Sequence, residues 1–242
     1  MRAETRHQLK QDRFSKVTIE AAENAAHWSA EHQSKIIAVV IAVVVIGAIA
    51  FGGWYYVNTQ DEKASGELST AVRTFETPVR PAGVPAQPDY DSFASTEERA
   101  TAARKLFQAI VDKYPHTHTA DMARYFVGLA SAQLNDNTAA ERSLQEAASS
   151  RNTDLAALGK FALASVYRSE KKDTQVVDLY KQLIDKPTLV VSKATAQLEL
   201  AGFYESRQKP DEAKKIYEQV EKENPATEAA SLAQRRAAAL KQ

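Results

Sequence analysis

Several residue types and motifs that enzymes rely on are scarce or missing in this chain of 242 residues. There is no cysteine, which excludes disulfides, thiolate-bound metals and a cysteine nucleophile. Glycine occurs only 8 times, and no glycine-rich phosphate loop, GxSxG or HExxH signature is present. The 31 basic and 31 acidic residues balance, which gives no electrostatic reason to expect a nucleic acid as partner. We therefore predict a protein that is not an enzyme and uses no cofactor.

A pair of histidines comes nearest to a metal-binding pattern. His116 and His118 stand in the motif PHTHT between two helical segments. Such a pair can supply two ligands, but no third ligand cluster accompanies it. The sequence predicts an exposed turn here and no bound metal.

One long hydrophobic run is present, at residues 36–57, IIAVVIAVVVIGAIAFGGWYYV, and it contains no charged residue. As a helix it would reach roughly 33 Å, which is enough to cross a hydrocarbon core of roughly 30 Å. Lys35 marks one edge of the run. Trp54, Tyr55 and Tyr56 lie near the other edge, where aromatic rings prefer the headgroup zone. We predict a single transmembrane helix in contact with the membrane bilayer.

The charges around this run predict its orientation. Residues 1–35 form a leader with six cations, which the positive-inside rule places in the cytoplasm, so residues 58–242 would lie outside it. The tripeptide at residues 48–50, Ala-Ile-Ala, fits a signal-peptide cleavage pattern. However, the leader is longer than an ordinary signal n-region and the apolar run continues to Val57. The sequence favours a retained signal anchor over a cleaved signal peptide.

The leader is itself predicted to be amphipathic. Its apolar residues recur every three or four positions, at Phe14, Val17, Ala21, Ala25 and Trp28. This spacing indicates one face of a helix. The helix would either extend the span or dock on a cytoplasmic or membrane partner.

The remainder reads as a series of helices in one domain. Residues 76–95 hold four prolines and predict a loop, because proline resists both helices and strand ladders. From Thr96 onward the sequence is rich in alanine and helical in its period. The predicted helix pairs are 61–75 with 96–114, 118–134 with 138–149, 154–170 with 173–185, and 189–207 with 210–223, followed by a last helix at 226–240.

These helices repeat at a fixed interval. Ala103, Ala140, Val176 and Ala213 lie 37, 36 and 37 residues apart. Large residues follow each of them by four positions, at Phe107, Leu144, Tyr180 and Tyr217. Two helices per unit at this period mark a helical repeat array, in which each unit buries its apolar face against the next.

The repeat resembles the tetratricopeptide repeat (TPR), and residues 194–227 match its pattern best. The matching positions are Leu200, Ala201, Tyr204, Ala213, Tyr217 and Pro225. Two positions depart from it, because Ser131 stands where an aromatic residue is expected and Val176 replaces a small alanine. The expected fold is all-α, with a single N-terminal transmembrane helix followed by a TPR-like α-solenoid of helical hairpins.

In the TPR frame, the first helix of each pair lines a concave groove. The residues expected there are Met122, Tyr125 and Leu129, then Leu158, Phe161 and Ser165, then Thr195, Leu198 and Gly202. This surface is largely apolar and aromatic, so we expect another polypeptide segment to cover it. It would bind apolar polypeptide segments, or be filled by helix 61–75 or by a second copy of the chain in a homo-oligomer. Ala48 and Gly52 form a small-xxx-small pair that would also suit pairing of spans.

A short leader, one span and an array of degenerate TPRs together resemble the ancillary subunit of the bacterial SecYEG translocon. The resemblance implies a single-pass protein of the bacterial inner membrane, with a cytoplasmic N-terminus and a periplasmic TPR domain. It also implies translocon subunits, periplasmic chaperones or exported clients as partners. The alternative is an assembly scaffold for another envelope complex, such as cytochrome maturation or the outer-membrane machinery.

Overall fold

The chain is described from a computed structural model that places residues 32–85 and 91–240. Its helices are α1 (Gln33–Glu76), α2 (Thr96–Lys113), α3 (His118–Gln133), α4 (Asn137–Ala148), α5 (Thr153–Ser169), α6 (Asp173–Asp185), α7 (Lys193–Ser206), α8 (Pro210–Glu223) and α9 (Glu228–Ala239). The only strand-like pairing within these ranges is an isolated parallel bridge between Val79 and Phe93. The all-α prediction is therefore confirmed. The amphipathic helix predicted in the leader lies outside the described residues.

Most of these helices begin at a residue whose side chain caps the first turn. The capping side chains accept hydrogen bonds from backbone N–H groups and belong to Ser95, Thr117, Asp136, Asn152, Ser192 and Thr227. Each satisfies a backbone donor that the helix cannot, which typically stabilises a helix by about 1 kcal/mol. The local sequence therefore determines where these helices begin.

The turns inside successive hairpins have the same backbone conformation. Asn135, Lys171 and Gln208 lie between the two helices of their pairs, with φ of 58°, 58° and 56°. They are spaced by 36 and 37 residues, the same interval as the sequence repeat. Because non-glycine residues seldom adopt this left-handed conformation, its recurrence shows that α3–α4, α5–α6 and α7–α8 are copies of one hairpin.

Two glycines allow neighbouring helices to approach closely. A Cβ on Gly128 in α3 would lie 2.5 Å from Leu144 Cγ in α4. A Cβ on Gly159 in α5 would lie 2.6 Å from the backbone nitrogen of Ala148, at the end of α4. Both separations are shorter than van der Waals contact, so α4 is held between α3 and α5 by positions that tolerate no side chain.

The chain divides into two compact units after Tyr56. In the second unit, the part of α1 beyond Val57 packs as the first helix of a hairpin with α2, as predicted. Ala64 and Ala71 are fully buried, and they share a core cluster with Phe107 of α2. Polar contacts fix the same segment: Tyr114 Oη and Lys113 Nζ donate to Glu67 Oε1 at 2.8 and 2.6 Å, and Thr119 N donates to Asp61 Oδ1 at 2.9 Å.

The part of α1 in the first unit is exposed from Ile37 to Tyr56. Ile49 is 70% exposed, and Trp54, Tyr55 and Tyr56 are all more than 60% exposed. Lys35 is exposed as well. By length and composition this helix can cross a membrane, and none of its apolar stretch is buried within the protein. The chain therefore has one N-terminal apolar helix of the kind that serves as a membrane anchor or a signal sequence.

The core of the second unit consists of three neighbouring apolar clusters. The first joins α1, α2 and α3, the second joins α4 to α7, and the third joins α7, α8 and α9. Tyr204 and Ile216 pack against both the second and third clusters. On α3, Phe126 packs against the first cluster and Tyr125 against the second. Burial is therefore continuous along the array, as expected when no single hairpin can cover its own apolar face.

Two segments differ in detail from the sequence predictions. Helix α7 begins at Lys193 instead of residue 189, because Thr188 N donates to Val191 O and Ser192 caps the helix. In the segment predicted as a loop over 76–95, α1 continues through Glu76. Backbone hydrogen bonds then hold the ends of the loop together, with Arg80 N donating to Phe93 O at 3.0 Å and Phe93 N to Pro78 O at 3.1 Å.

Candidate functional site

The residues predicted to line a groove lie on α3, α5 and α7, and they form what we call the first-helix face. Its members are Met122, Tyr125, Leu129, Leu158, Phe161 and Leu198. All six are half-buried, which means that each is anchored in the fold and still reaches the surface. Helix α3 packs against α5 as well as against its sequence neighbours, so the first helices of these two pairs adjoin one another.

An aromatic group supports the N-terminal end of the first-helix face. Phe126 stacks on Phe107 with ring centroids 4.8 Å apart, and it also meets Phe75 edge-on at 6.0 Å. Tyr125 contacts Phe126 edge-on at 5.4 Å, and burial raises the pKa of its phenol. The tyrosine is thus rigidly placed and neutral at physiological pH, which suits an apolar contact surface better than a charged one.

The middle of the face is built on the second core cluster. Tyr125, Leu158 and Phe161 all pack against this cluster, so the fold brings these three residues onto one apolar body. Phe161 lies edge-on to Tyr180 of α6 at 6.1 Å. Burial raises the pKa of Tyr180 to about 12, which keeps this phenol neutral too. No residue of α1 belongs to this cluster among the residues described, so α1 does not cover the middle of the face.

The two ends of the face are separate from its middle. Met122 shares a cavity of about 230 Å³ with Leu68 of α1 and Leu155 of α5. At the other end, Leu198 packs against the third core cluster. Beside it, Gln197 Nε2 donates to Glu223 Oε2 at 3.1 Å, and Lys193 lies 3.0 Å from the same oxygen. Hydrogen bonds from Gln219, Lys193 and Gln197 lower the pKa of Glu223 to about 2.

A second surface feature was not anticipated from the sequence. A groove of about 990 Å³ runs between α2 and α4 with α3 as its floor, and we call it the Ser131 groove. Ser131 is fully buried at its base, and the Oγ of this serine has no hydrogen-bond partner among the described residues. The signal that would have revealed the groove was present in the sequence: Ser131 occupies a position where the repeat pattern expects an aromatic residue.

Of the histidine pair, His116 lies in the predicted turn and His118 is the first residue of α3. His116 and His118 are both exposed at the junction of α2 and α3. Over residues 32–85 and 91–240, His, Asp and Glu side chains do not gather in groups of three that could hold a metal ion.

Comparison with known proteins gives two family matches. A tetratricopeptide repeat-like domain family matches residues 26–175, which is more than half of the chain. A tetratricopeptide repeat family matches residues 195–227, the stretch with the best sequence pattern. No curated protein matches the chain.

Proposed function

This chain belongs to the tetratricopeptide repeat-like domain family, and on that premise we propose that it is a membrane-anchored scaffold at the bacterial protein-export translocon. TPR domains are protein–protein interaction scaffolds and are typically non-catalytic, so protein partners follow from the family itself. The proposal adds where the scaffold works and on what: it receives newly exported polypeptides, or recruits periplasmic chaperones to them, on the outer side of the inner membrane.

The first-helix face carries the proposal. It combines aromatic and aliphatic side chains that are held rigidly and remain partly exposed, in an otherwise charge-balanced protein. Apolar surface of this kind on a folded protein commonly marks an interaction site. Newly exported chains expose apolar segments before they fold, so an apolar receiving surface suits them.

The apolar part of α1 supports anchoring. Its large hydrophobic side chains are exposed from Ile37 to Tyr56, and such a surface is costly to leave in water. A bilayer would cover it, with Lys35 near one interface and the Trp54–Tyr56 aromatics near the other. The cations of the leader favour a cytoplasmic N-terminus and therefore a periplasmic TPR domain.

Site-specific photocrosslinking in intact cells tests the partner. A photoreactive residue at Phe161 or Leu198 is expected to trap translocon subunits, periplasmic chaperones or exported chains. The same residue at Lys215, an exposed position on α8, serves as the matched control and should trap far less. Crosslinks from Phe161 to a different envelope complex would instead favour an assembly scaffold. Absence of any partner at both face positions would contradict the proposal.

The lack of cysteine makes the topology directly measurable. Single variants Ser15→Cys and Lys215→Cys are labelled in intact spheroplasts with a maleimide that cannot cross the membrane. Lys215→Cys is expected to react and Ser15→Cys to react only after permeabilisation. An N-terminal tag should stay on the mature, membrane-bound protein; its removal would show that residues 48–50 are a signal cleavage site. Labelling of Ser15→Cys alone would refute the export role.

A further inference from the structure

The Ser131 groove is explained by comparing it with the same place one repeat later. Ser131, Tyr167 and Tyr204 are spaced by 36 and 37 residues on α3, α5 and α7. Each precedes the left-handed turn residue of its hairpin by four positions. The three side chains therefore occupy equivalent positions, and the first of them is a serine where the others are tyrosines.

Tyr167 shows what the position holds when it is aromatic. It is only 8% exposed, and its phenol donates to Glu141 Oε1 at 3.0 Å and accepts from Gln145 Nε2 at 3.0 Å. The Lys172 ammonium lies 5.0 Å from the ring centroid and 2.7 Å from Glu141 Oε2. The ring thus fills the junction of α4, α5 and α6.

The counterparts of these neighbours line the Ser131 groove. By the repeat interval, Arg104 corresponds to Glu141, Gln108 to Gln145 and Asp136 to Lys172. Arg104, Gln108 and Asp136 all lie on the walls, with Ser131 at the base. Arg104 and Asp136 form an ion pair at 3.0 Å, so the junction keeps the pairing of the next repeat with its signs exchanged. The groove therefore lies at the junction that a tyrosine ring fills one repeat later.

The charges on the rim favour an acidic occupant. The lining contains Arg104, Lys105, Arg124 and Arg142 but only three carboxylates. Among the described residues Lys105 makes no ion pair, and Arg142 is 83% exposed with one contact, to Glu146 at 3.4 Å. A negatively charged chain lying along the rim would approach both cations without displacing the Arg104–Asp136 pair.

We propose that the Ser131 groove binds an aromatic side chain presented by an acidic segment of a partner polypeptide. The ring lies above the buried Ser131, at the junction that Tyr167 and Tyr204 fill in the later hairpins. Flanking Asp or Glu residues contact Lys105 and Arg142. This surface is distinct from the first-helix face, and the inference holds wherever the protein is located.

The test uses the full chain in mild detergent and a fluorescein-labelled peptide, Asp-Glu-Tyr-Glu-Asp, followed by fluorescence anisotropy. Two further peptides carry alanine in place of the tyrosine or lysines in place of the acids. The tyrosine peptide with acidic flanks is expected to bind at least tenfold more tightly than either. Equal binding of all three, or of none, would overturn the proposal.

A variant that places a tyrosine ring of the chain itself at this junction tests the location of the peptide-binding site. Ser131→Tyr is expected to weaken peptide binding at least tenfold and to raise the melting temperature by about 2–4 °C, because the ring packs as Tyr167 does. Ser165→Tyr, an equal change at an exposed position of α5, is the control and should leave binding unchanged. Loss of binding in Ser165→Tyr alone would move the site to the first-helix face.

A surface variant keeps the test independent of core packing. Lys105→Glu changes an exposed side chain on α2 and should weaken binding of the acidic peptide about tenfold without lowering helicity. It should also reduce the salt dependence of binding. Unchanged affinity in Lys105→Glu would contradict the assigned charge contact. Crosslinking from Phe161 should be the same in Ser131→Tyr and Lys105→Glu, so failure here is distinguishable from failure of the export role.

Discussion

The junction of α2, α3 and α4 and the junction of α4, α5 and α6 share one backbone and differ in what fills them. Their hairpin turns have the same φ of 58°, at Asn135 and Lys171, and each has an ion pair at the same place. The second is filled by Tyr167, whereas the first has the buried Ser131 beneath a groove. The difference teaches that small residues and turns set the repeat, while the filling residue can change without altering the hairpin.

The largest loss of stability should come from removing the ring that fills the second junction. Tyr167→Ser removes a ring that is 8% exposed together with its hydrogen bonds to Glu141 and Gln145. Burial of an aromatic side chain of this size suggests a loss of about 3 kcal/mol in the free energy of unfolding. Urea denaturation followed by circular dichroism measures it. A loss below the scatter of replicate measurements would show that the two junctions do not differ in the way described.

The next effect concerns how tightly α4 is held on each side. In Gly159→Ala the new Cβ meets the backbone of Ala148, which cannot move aside, so we expect a cost of about 2 kcal/mol. Gly128→Ala meets the fully buried Leu144 side chain at Cγ and should cost a similar amount. Gly202→Ala is the control, because the nearest atom is 4.0 Å away. It should stabilise by about 0.5–1 kcal/mol through helix propensity. Thermal melts of the three variants give the order.

The ion pairs of the two junctions should differ modestly in how much they stabilise the fold. Lys172 contacts Glu141 at 2.7 Å and Glu170 at 3.0 Å, and it also covers the Tyr167 ring. Arg104 has Asp136 alone and is about a third exposed. Lys172→Ala should therefore lower the free energy of unfolding more than Arg104→Ala does. Equal costs, measured in parallel denaturation curves, would mean that the ring contact contributes nothing.

The smallest effect is the pH dependence that Glu141 contributes at the filled junction. The hydrogen bond from Lys172 is the main cause that lowers the pKa of Glu141 below 4.5. A carboxylate with a lowered folded-state pKa stabilises the fold above its unfolded pKa, and this contribution is lost as the pH falls through the folded value. Glu141→Gln should therefore reduce the drop in melting temperature between about pH 5 and pH 3. Glu221→Gln, an exposed carboxylate of α8, should not.

Much of this architecture could be predicted from local sequence signals. The helical periodicity and the repeat interval reproduce the helices from α2 to α9 to within a few residues. The start of α7 was missed because Val191 is held in a turn by Thr188, a contact that periodicity does not report. The sequence shows that Ser131 departs from the repeat pattern, but it does not show that a groove results. Seeing a groove required the positions of Arg104, Gln108 and Asp136, which only packing brings together.

The shared register of Ser131 and Tyr167 also has a consequence for descent. Some serine and tyrosine codons differ by a single base. One base substitution can therefore convert a junction filled by tyrosine into a junction with a binding groove. Because each unit of such an array contacts only its neighbours, the exchange would leave distant hairpins undisturbed. A lineage could thus gain or forfeit a binding partner at one hairpin while the rest of the array is inherited intact.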